Sequence, residues 1–286
     1  MTLDLHPWNY YDLGFSYLIK GNFHQSLDNY LNGLRITRDK WTVFSLAKNL
    51  ISFQRKHKNT DNLDLIITIC LLYLAFKYKD RWAIYQLNLI LGVKKKEYKK
   101  PVVIVAGSTA SNRVKNLLDF EENLCQSFKK FNGTIISGGT TSGISGIAGK
   151  IQKLYPRSIQ TIGYIPKNIP DSRVKIDSRY SQIIKSEGSD FSILEPLCYW
   201  NDLFHDKISP QGDVKLIGFG GGKISRFEYR MALLLNIKVG LVEDSGKEAQ
   251  KLLEDPFWRY DDKNQKLLYP IKNNRKALED FILDID

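Results

Sequence analysis

From Pro101 onward the chain repeats one rhythm. A short continuous run of apolar, largely β-branched residues is followed by a turn or an amphipathic stretch. The runs are VVIVA (102–106), TIIS (134–137), TIGYI (161–165), VKLIGF (214–219) and KVGLV (238–242). Uninterrupted runs of this kind read as strands buried on both faces. Between them lie segments such as RVKNLLDFEENLCQSFKKF (113–131), read as a helix with Leu117, Leu118, Leu124 and Phe128 on one face. Strands alternating with helices predict a doubly wound α/β domain, its sheet mainly parallel and covered by helices on both sides. In such sheets ligands lie beyond the carboxyl ends of the strands, where strand order reverses.

The first hundred residues follow a different pattern. They hold four glycines and one proline, Pro7, and their apolar residues recur at helical spacing. YYDLGFSYLIKGNFHQSLDNYLNGLRIT (10–37) places Leu13, Gly14, Tyr17, Gly21, Phe23, Ser26 and Tyr30 in a pattern that resembles a tetratricopeptide helical hairpin, in which small residues let two helices approach. Further helices are expected at about 41–54, 61–77 and 81–91. The expected division is an α-helical unit at 1–93, a solvated basic linker at 94–100 (KKKEYKK) and the α/β domain at 101–286. PFWRYDDKNQKLLYP (256–270) reads as a surface connection to a final helix, NRKALEDFIL (274–283).

Composition removes several classes of function. LDLIITICLLYLAF (63–76) is too short to span a bilayer and reads as a buried helix. The N-terminus lacks the basic and apolar regions of a secretory signal. Cys70, Cys125 and Cys198 are odd in number and far apart, so free thiols in a reducing cytoplasm are expected. The four histidines never approach metal-ligand spacing, and no metal or cofactor is expected. The net charge of +11 is concentrated in residues 1–100, where 16 Lys and Arg face 8 Asp and Glu. That excess attracts polyanions, but no nucleic-acid-reading motif accompanies it, and scattered lysines usually coat solvated helices.

Three turns at strand ends carry the candidate chemistry: GSTASN (107–112), GGTTSG (138–143) and GGGKIS (220–225). A glycine-rich turn between strand and helix presents backbone N–H groups at the positive end of a helix dipole, which suits phosphate or carboxylate. The alternative reading is that these glycines serve tight turns and close helix–strand contact. The candidate ligand-binding residues are Gly107, Ser108 and Thr109; Gly138, Gly139, Thr140, Thr141, Ser142 and Gly143; and Gly220, Gly221, Gly222, Lys223, Ser225, Arg226 and Glu228. The P-loop pattern fails, because Ile144 and Ile217 stand where its first glycine belongs. A Rossmann G-x-G-x-x-G does not follow the first strand. Glu228 reads either as a pocket carboxylate or as a helix-surface partner of Arg226 or Arg230. Trp200 and Tyr199 read as core before base-stacking, Arg173, Lys175 and Arg179 as a solvated loop with phosphate contact as the alternative, and Glu187, Gly188 and Asp190 as a pocket rim.

GGTTSGISG (138–146) and GGGKISRFE (220–228) resemble two segments of the "Lonely guy" nucleotide phosphoribohydrolases, in the same order and after the corresponding strands. The match places Ser225 on that family's threonine and Glu228 on its catalytic glutamate, while Gly220 replaces a proline and Ile224 a glycine. Residues 101 to about 270, with SEGSDFSILEPLCYWNDL (186–203) and FEYRMALLLNIKVGLVEDSG (227–246), resemble more closely the prokaryotic branch of the SLOG superfamily related to the ligand-sensing region (LSDAT) of melastatin-type TRP channels. That resemblance implies a sensor for a nucleotide-derived ligand such as ADP-ribose or a cyclic nucleotide, in bacterial signalling or defence. It also implies a protein partner for the helical unit and self-association into a homo-oligomer. The phosphoribohydrolase alternative implies N-glycosidic cleavage with Glu228 as the catalytic carboxylate.

Overall fold

The computed structural model describes residues 6–92, 97–107, 117–169, 171–259 and 266–285. The chain separates into two compact units, Met1–Lys94 and Lys95–Asp286.

The first unit is helical: α1 (Pro7–Ile19), α2 (Phe23–Ile36), α3 (Lys40–Lys56), α4 (Leu63–Tyr78) and α5 (Arg81–Leu91). Helix α4 is its core, with every residue from Ile66 to Phe76 buried. No described helix is long and apolar enough to cross a membrane. Starts are fixed by side-chain caps, Asp39 accepting from Thr42 N–H at 2.8 Å and Asp80 from Ala83 N–H at 2.9 Å. Helices α1 and α2 interlock through two tyrosine rings that occupy the space above two glycines. A Cβ on Gly14 would stand 3.0 Å from the Tyr30 ring, and one on Gly33 only 2.4 Å from the Tyr11 ring. The Tyr11 hydroxyl is held at 2.6 Å from Thr37 Oγ1, which in turn donates to the Gly33 carbonyl. Tyr11 therefore has little freedom to yield. Gly33→Ala is expected to cost about 1–2 kcal/mol by overpacking, read as a lower melting temperature with unchanged far-ultraviolet dichroism; an unshifted melt would show that the ring moves freely.

The second unit is an all-parallel, seven-stranded sheet. Its strands are β1 (Val102–Gly107), β2 (Gly133–Ser137), β3 (Ile159–Pro166), β4 (Gln182–Ser186), β5 (Val214–Phe219), β6 (Lys238–Val242) and β7 (Leu268–Ile271), in the order β4-β3-β2-β1-β5-β6-β7. The helices are α6 (Leu117–Ser127), α7 (Gly143–Leu154), α8 (Leu194–His205), α9 (Pro210–Asp213), α10 (Lys223–Leu234), α11 (Lys247–Glu254), α12 (Pro256–Arg259) and α13 (Arg275–Leu283). On one face Val103, Val105, Ile217 and Phe219 form a continuous core with Phe120, Leu124, Ile147, Ile151, Leu278 and Ile282 of α6, α7 and α13. Because side chains alternate along a strand, Gly218 points to the other face, where its missing side chain makes room for Tyr229 of α10. Helices thus cover both faces, as the doubly wound reading requires. The chain builds outward from β1 to β4, crosses back, and builds the other way from β5 to β7. Strand order reverses between β1 and β5, paired from Val102↔Val214 to Gly107↔Phe219.

Three details differ from the sequence reading. Leu118 does not share the buried face of α6. It is 81% exposed, and Phe120 takes the inward position beside Leu124 and Phe128. The stretch 256–270 is not wholly a surface connection, since it carries α12 and the start of strand β7. The end of the 94–100 run is attached rather than solvated: Tyr98 is buried with its hydroxyl 2.6 Å from that of Tyr164, and Lys100 pairs with Asp213 at 2.7 Å.

Candidate functional site

The carboxyl ends of β1, β2 and β5 open into a cavity of about 930 Å³ at the reversal of strand order. Its walls come from Val105, Ala106 and Gly107 at the end of β1, Ser137 at the end of β2, and the turns that lead into α7 and α10.

The first turn is held by the chain's own segment 171–180. Thr140 bridges to Ile176, Thr141 N–H donates to the Lys175 carbonyl at 2.9 Å, and Asp177 N–H donates to the Gly139 carbonyl at 3.0 Å. The Arg179 guanidinium grips the buried Asp177 carboxylate and donates to the Gly146 carbonyl at 3.0 Å. These contacts explain most of the glycines. A Cβ on Gly146 would lie 2.2 Å from the Thr141 carbonyl oxygen, and one on Gly149 would lie 2.2 Å from Asp177 Oδ2. Gly139, at φ +69°, turns the chain so closely over β3 that its Cβ would meet Gly163, Ile165 and Ile183. Much of the bare backbone therefore admits protein rather than ligand.

The second turn is different. Gly220 is anchored by Ser245 Oγ on its N–H and by Ala249 N–H on its carbonyl. Ser225 Oγ donates to the Gly107 carbonyl at 3.2 Å, tying the start of α10 to the end of β1. Gly222, the N-cap of α10, has nothing within 4 Å of where its Cβ would be. That space belongs to the cavity.

Helix N-termini expose N–H groups that need partners. Neither α7, with Ser142 at its N-cap, nor α10, with Gly222, has a side-chain cap, and both begin at the cavity wall. Helix α8 also begins there but is satisfied internally. Ser192 Oγ accepts from Leu194 N–H, and Glu195 accepts from Ser192 N–H at 2.8 Å, on either side of the N-cap Ile193. Two uncapped dipole ends on one cavity make a place for negative charge.

The opposite wall is aromatic and acidic. Tyr199 of α8 donates to Glu228 Oε1 of α10 at 3.2 Å. Burial pushes the Glu228 carboxyl up to about 8, against the Tyr199 hydrogen bond and with the help of the Glu195 charge. Glu228 is thus largely neutral at pH 7. Glu195 is buried, with one oxygen on Ser186 Oγ and the other in the helix cap. Tyr164, also on the wall, donates to Asp202 at 2.7 Å and meets Tyr98 behind it.

Of the residues singled out in the sequence, Gly107, Gly138, Thr140, Ser142, Gly221, Gly222, Lys223, Ser225 and Glu228 line this cavity together. Gly139, Thr141, Gly143, Gly220 and Arg226 are not on its wall; they shape the turns, and Arg226 faces Glu248 at 3.8 Å. Ser108 and Thr109 lie outside the described residues. Glu228 is not the partner of Arg226 or Arg230, since Arg230 faces Asp255. The rim is formed by Phe191 and Ser192 rather than by Glu187, Gly188 and Asp190. Reading the sequence did not single out Tyr164, inside the apolar strand run TIGYI, or Glu195 on the aromatic helix, and it read Tyr199 on that helix as core. Arg173, read as a loop residue with phosphate contact as the alternative, lines the cavity with Asp171 and Val174. Among the described residues, no three His, Cys, Asp or Glu side chains cluster as metal ligands do.

No family model matches the chain. No curated protein matches it. Among solved structures, it is similar to the molybdenum cofactor carrier protein MCP from Chlamydomonas reinhardtii, at 19% identity over 65% of this chain and 98% of that one, with a TM-score of 0.46. It is also similar to the molybdenum cofactor binding protein from the phototrophic bacterium Rippkaea orientalis, at 18% identity over 65% of this chain and 98% of that one, with a TM-score of 0.45. By its own strand order, the second unit is a doubly wound, all-parallel α/β domain with a cavity at its switch point.

Proposed function

We propose that the α/β unit is a SLOG-type sensor that binds a phosphate-bearing, nucleotide-derived ligand, ADP-ribose-like or cyclic. The observation that carries this reading is the pair of uncapped helix N-termini, α7 and α10, on one cavity at the strand reversal. The aromatic wall of Phe191, Tyr164 and Tyr199 gives a base or sugar an apolar face, as small-molecule sites usually do. The helical unit then offers a surface through which occupancy is passed to a protein partner, a ligand shifting populations only by its differential affinity for two states. Bacterial signalling or defence is the setting that the LSDAT resemblance supplies.

The second reading, N-glycosidic hydrolysis by Glu228, asks for a carboxylate that stabilises an oxocarbenium-like transition state. Burial shifts the Glu228 carboxyl up to about 8, which disfavours the ionised form that this step asks for. The cavity's other buried acid, Glu195, has both oxygens occupied by Ser186 and Ser192. These observations favour binding without turnover. Calorimetric titration with ADP-ribose, its cyclic forms, NAD and AMP is expected to give saturable heat with at least one of them. Chromatography after incubation with nucleoside monophosphates is expected to find no free base. Base release that disappears in Glu228→Ala would establish the hydrolase instead.

A further inference from the structure

Helix α5 is apolar on the side where a surface helix is expected to be polar. Ala83 and Leu87 are its buried residues. Trp82, Tyr85 and Leu89 recur at i, i+3 and i+7 on the opposite face, where Tyr85 is 59% and Leu89 64% exposed. Helix α3 repeats the arrangement. Val43, Leu46, Ala47 and Leu50 are its buried residues, and Trp41, Phe44 and Lys48 stand at the same spacing away from them, with Trp41 67% exposed. The two rows meet. The Phe44 and Trp82 rings lie 4.9 Å apart, and Trp41 packs edge-on against Phe44 at 5.7 Å. Apolar surface joined in this way is a patch, not the scattered exposure that any protein shows.

The patch carries cations that the unit leaves unmatched. Lys48 Nζ sits over the Phe44 ring at 4.6 Å and the Trp82 ring at 5.9 Å. Among the described residues, neither Lys48 nor Arg81, the exposed first residue of α5, has a carboxylate within ion-pair distance. The acids nearby are used within the chain. Asp80 pairs with Lys40 at 2.6 Å and caps α5, and Asp39 caps α3. Residues 1–100 as a whole hold 16 Lys and Arg against 8 Asp and Glu. An apolar patch with uncompensated cations selects a partner that is both apolar and acidic.

We propose that the face shared by α3 and α5 docks an acidic amphipathic helix of another protein, its apolar stripe on Trp41, Phe44, Trp82, Tyr85 and Leu89 and its carboxylates on Lys48 and Arg81. Apolar residues at helical spacing on two touching helices form the ridges against which a third helix packs. Other occupants match the face less well. A second copy would set one basic surface against another. A bilayer selects no helical spacing. Single-stranded nucleic acid stacks its bases on open ring faces, whereas Lys48 stands over Phe44 and Trp82, and Leu89 offers no ring. The inference rests on the partner reading of the helical unit and needs no ligand in the cavity, so either can fail alone.

The test is fluorescence anisotropy of a labelled synthetic helix titrated with the full chain. The probe has about 20 residues, enough to hold a helix, with leucine at heptad positions a and d and glutamate at e and g. Micromolar binding is expected, at least about ten-fold tighter than for the same helix with lysine in place of glutamate or with its residues scrambled, and weaker at high salt. Leu89→Gln is expected to weaken it about ten-fold while melting with the parent, as an outward side chain should. Lys48→Glu is expected to weaken the acidic helix and strengthen the lysine one. Equal binding of the acidic, basic and scrambled helices, or none, overturns the proposal. So does a Leu89→Gln variant that melts several degrees lower, which would show this face packed within the chain. Sedimentation of a dimer that is lost in Leu89→Gln, or binding to vesicles of phosphatidylcholine and phosphatidylserine with no helix binding, gives the face to a second copy or to lipid and overturns it too. None of these failures touches the ligand of the cavity.

Discussion

Gly222→Asp is expected to abolish ligand binding, about a hundred-fold or more in affinity, while the protein melts no lower than its parent. Both halves follow from one position. Gly222 is the N-cap of α10, with φ −111° and ψ −157°, a conformation open to any residue, and its missing Cβ faces empty cavity. Asp is among the best N-cap residues, and replacing Gly there gains a few tenths of a kcal/mol from the cap. A negative charge at the helix start adds about 0.3–1 kcal/mol. The new carboxylate would occupy the N–H groups that a ligand phosphate needs. It would also repel that phosphate, so the variant carries its own competing anion. The neighbouring glycine does not allow the same experiment: at Gly221, φ is +93° and a Cβ would stand 2.5 Å from that of Ser225, so substitution there tests folding. Titration and melting of Gly222→Asp in one buffer check both expectations. Undiminished binding would remove the α10 terminus from the site.

Glu228→Gln is expected to stabilise the protein at alkaline pH and to leave it unchanged in acid. The folded carboxyl is raised to about 8, whereas an unfolded glutamate titrates near its ordinary value of 4.5. Below about pH 4.5 both states hold the proton and the group is neutral in the balance. As pH rises, the unfolded chain gives up its proton first, the folded chain binds more protons than the unfolded one, and stability falls. The fall ends once pH passes the folded value. At pH 9 the wild type has therefore lost stability on the order of 5 kcal/mol that the amide never loses, each tenfold change in proton affinity being about 1.4 kcal/mol. Glutamine keeps an oxygen to accept from Tyr199, so the packing is preserved. Melting temperatures of the two proteins from about pH 5 to pH 9 should diverge steadily, by several degrees at the alkaline end. Parallel curves would show that water reaches this carboxyl freely.

The central strands were legible because burial on both faces demands an unbroken apolar run, as in VVIVA and VKLIGF. The two edge strands were not. QIIKS of β4 has its outer residues wet, and LYPI of β7 is four residues long with a proline, so neither carries the pattern. The site was legible where glycine and hydroxyl residues clustered at strand ends. It was misread where glycine has two uses. Spacing alone cannot tell Gly222, which faces open cavity, from Gly146, which faces the Thr141 carbonyl, because both simply lack a side chain. Tyr199 and Glu195 were hidden for another reason: on a helix as buried as α8, pocket wall and core have the same composition. Arg173 could be named but not ranked, because an arginine near aspartate in a polar loop has no periodicity to separate a cavity wall from a solvated loop.

Helix α7 and the segment beside it are built as complementary halves, the Asp177 carboxylate filling the space that Gly149 leaves out. Neither half can drift alone, since any side chain added on one side needs room made on the other. Natural variants of this chain should therefore change at 149 together with 177, while 139 and 163, where two glycine backbones meet, should stay glycine. A library that randomises 149 and 177 jointly should recover folded members that one-at-a-time mutagenesis would never reach.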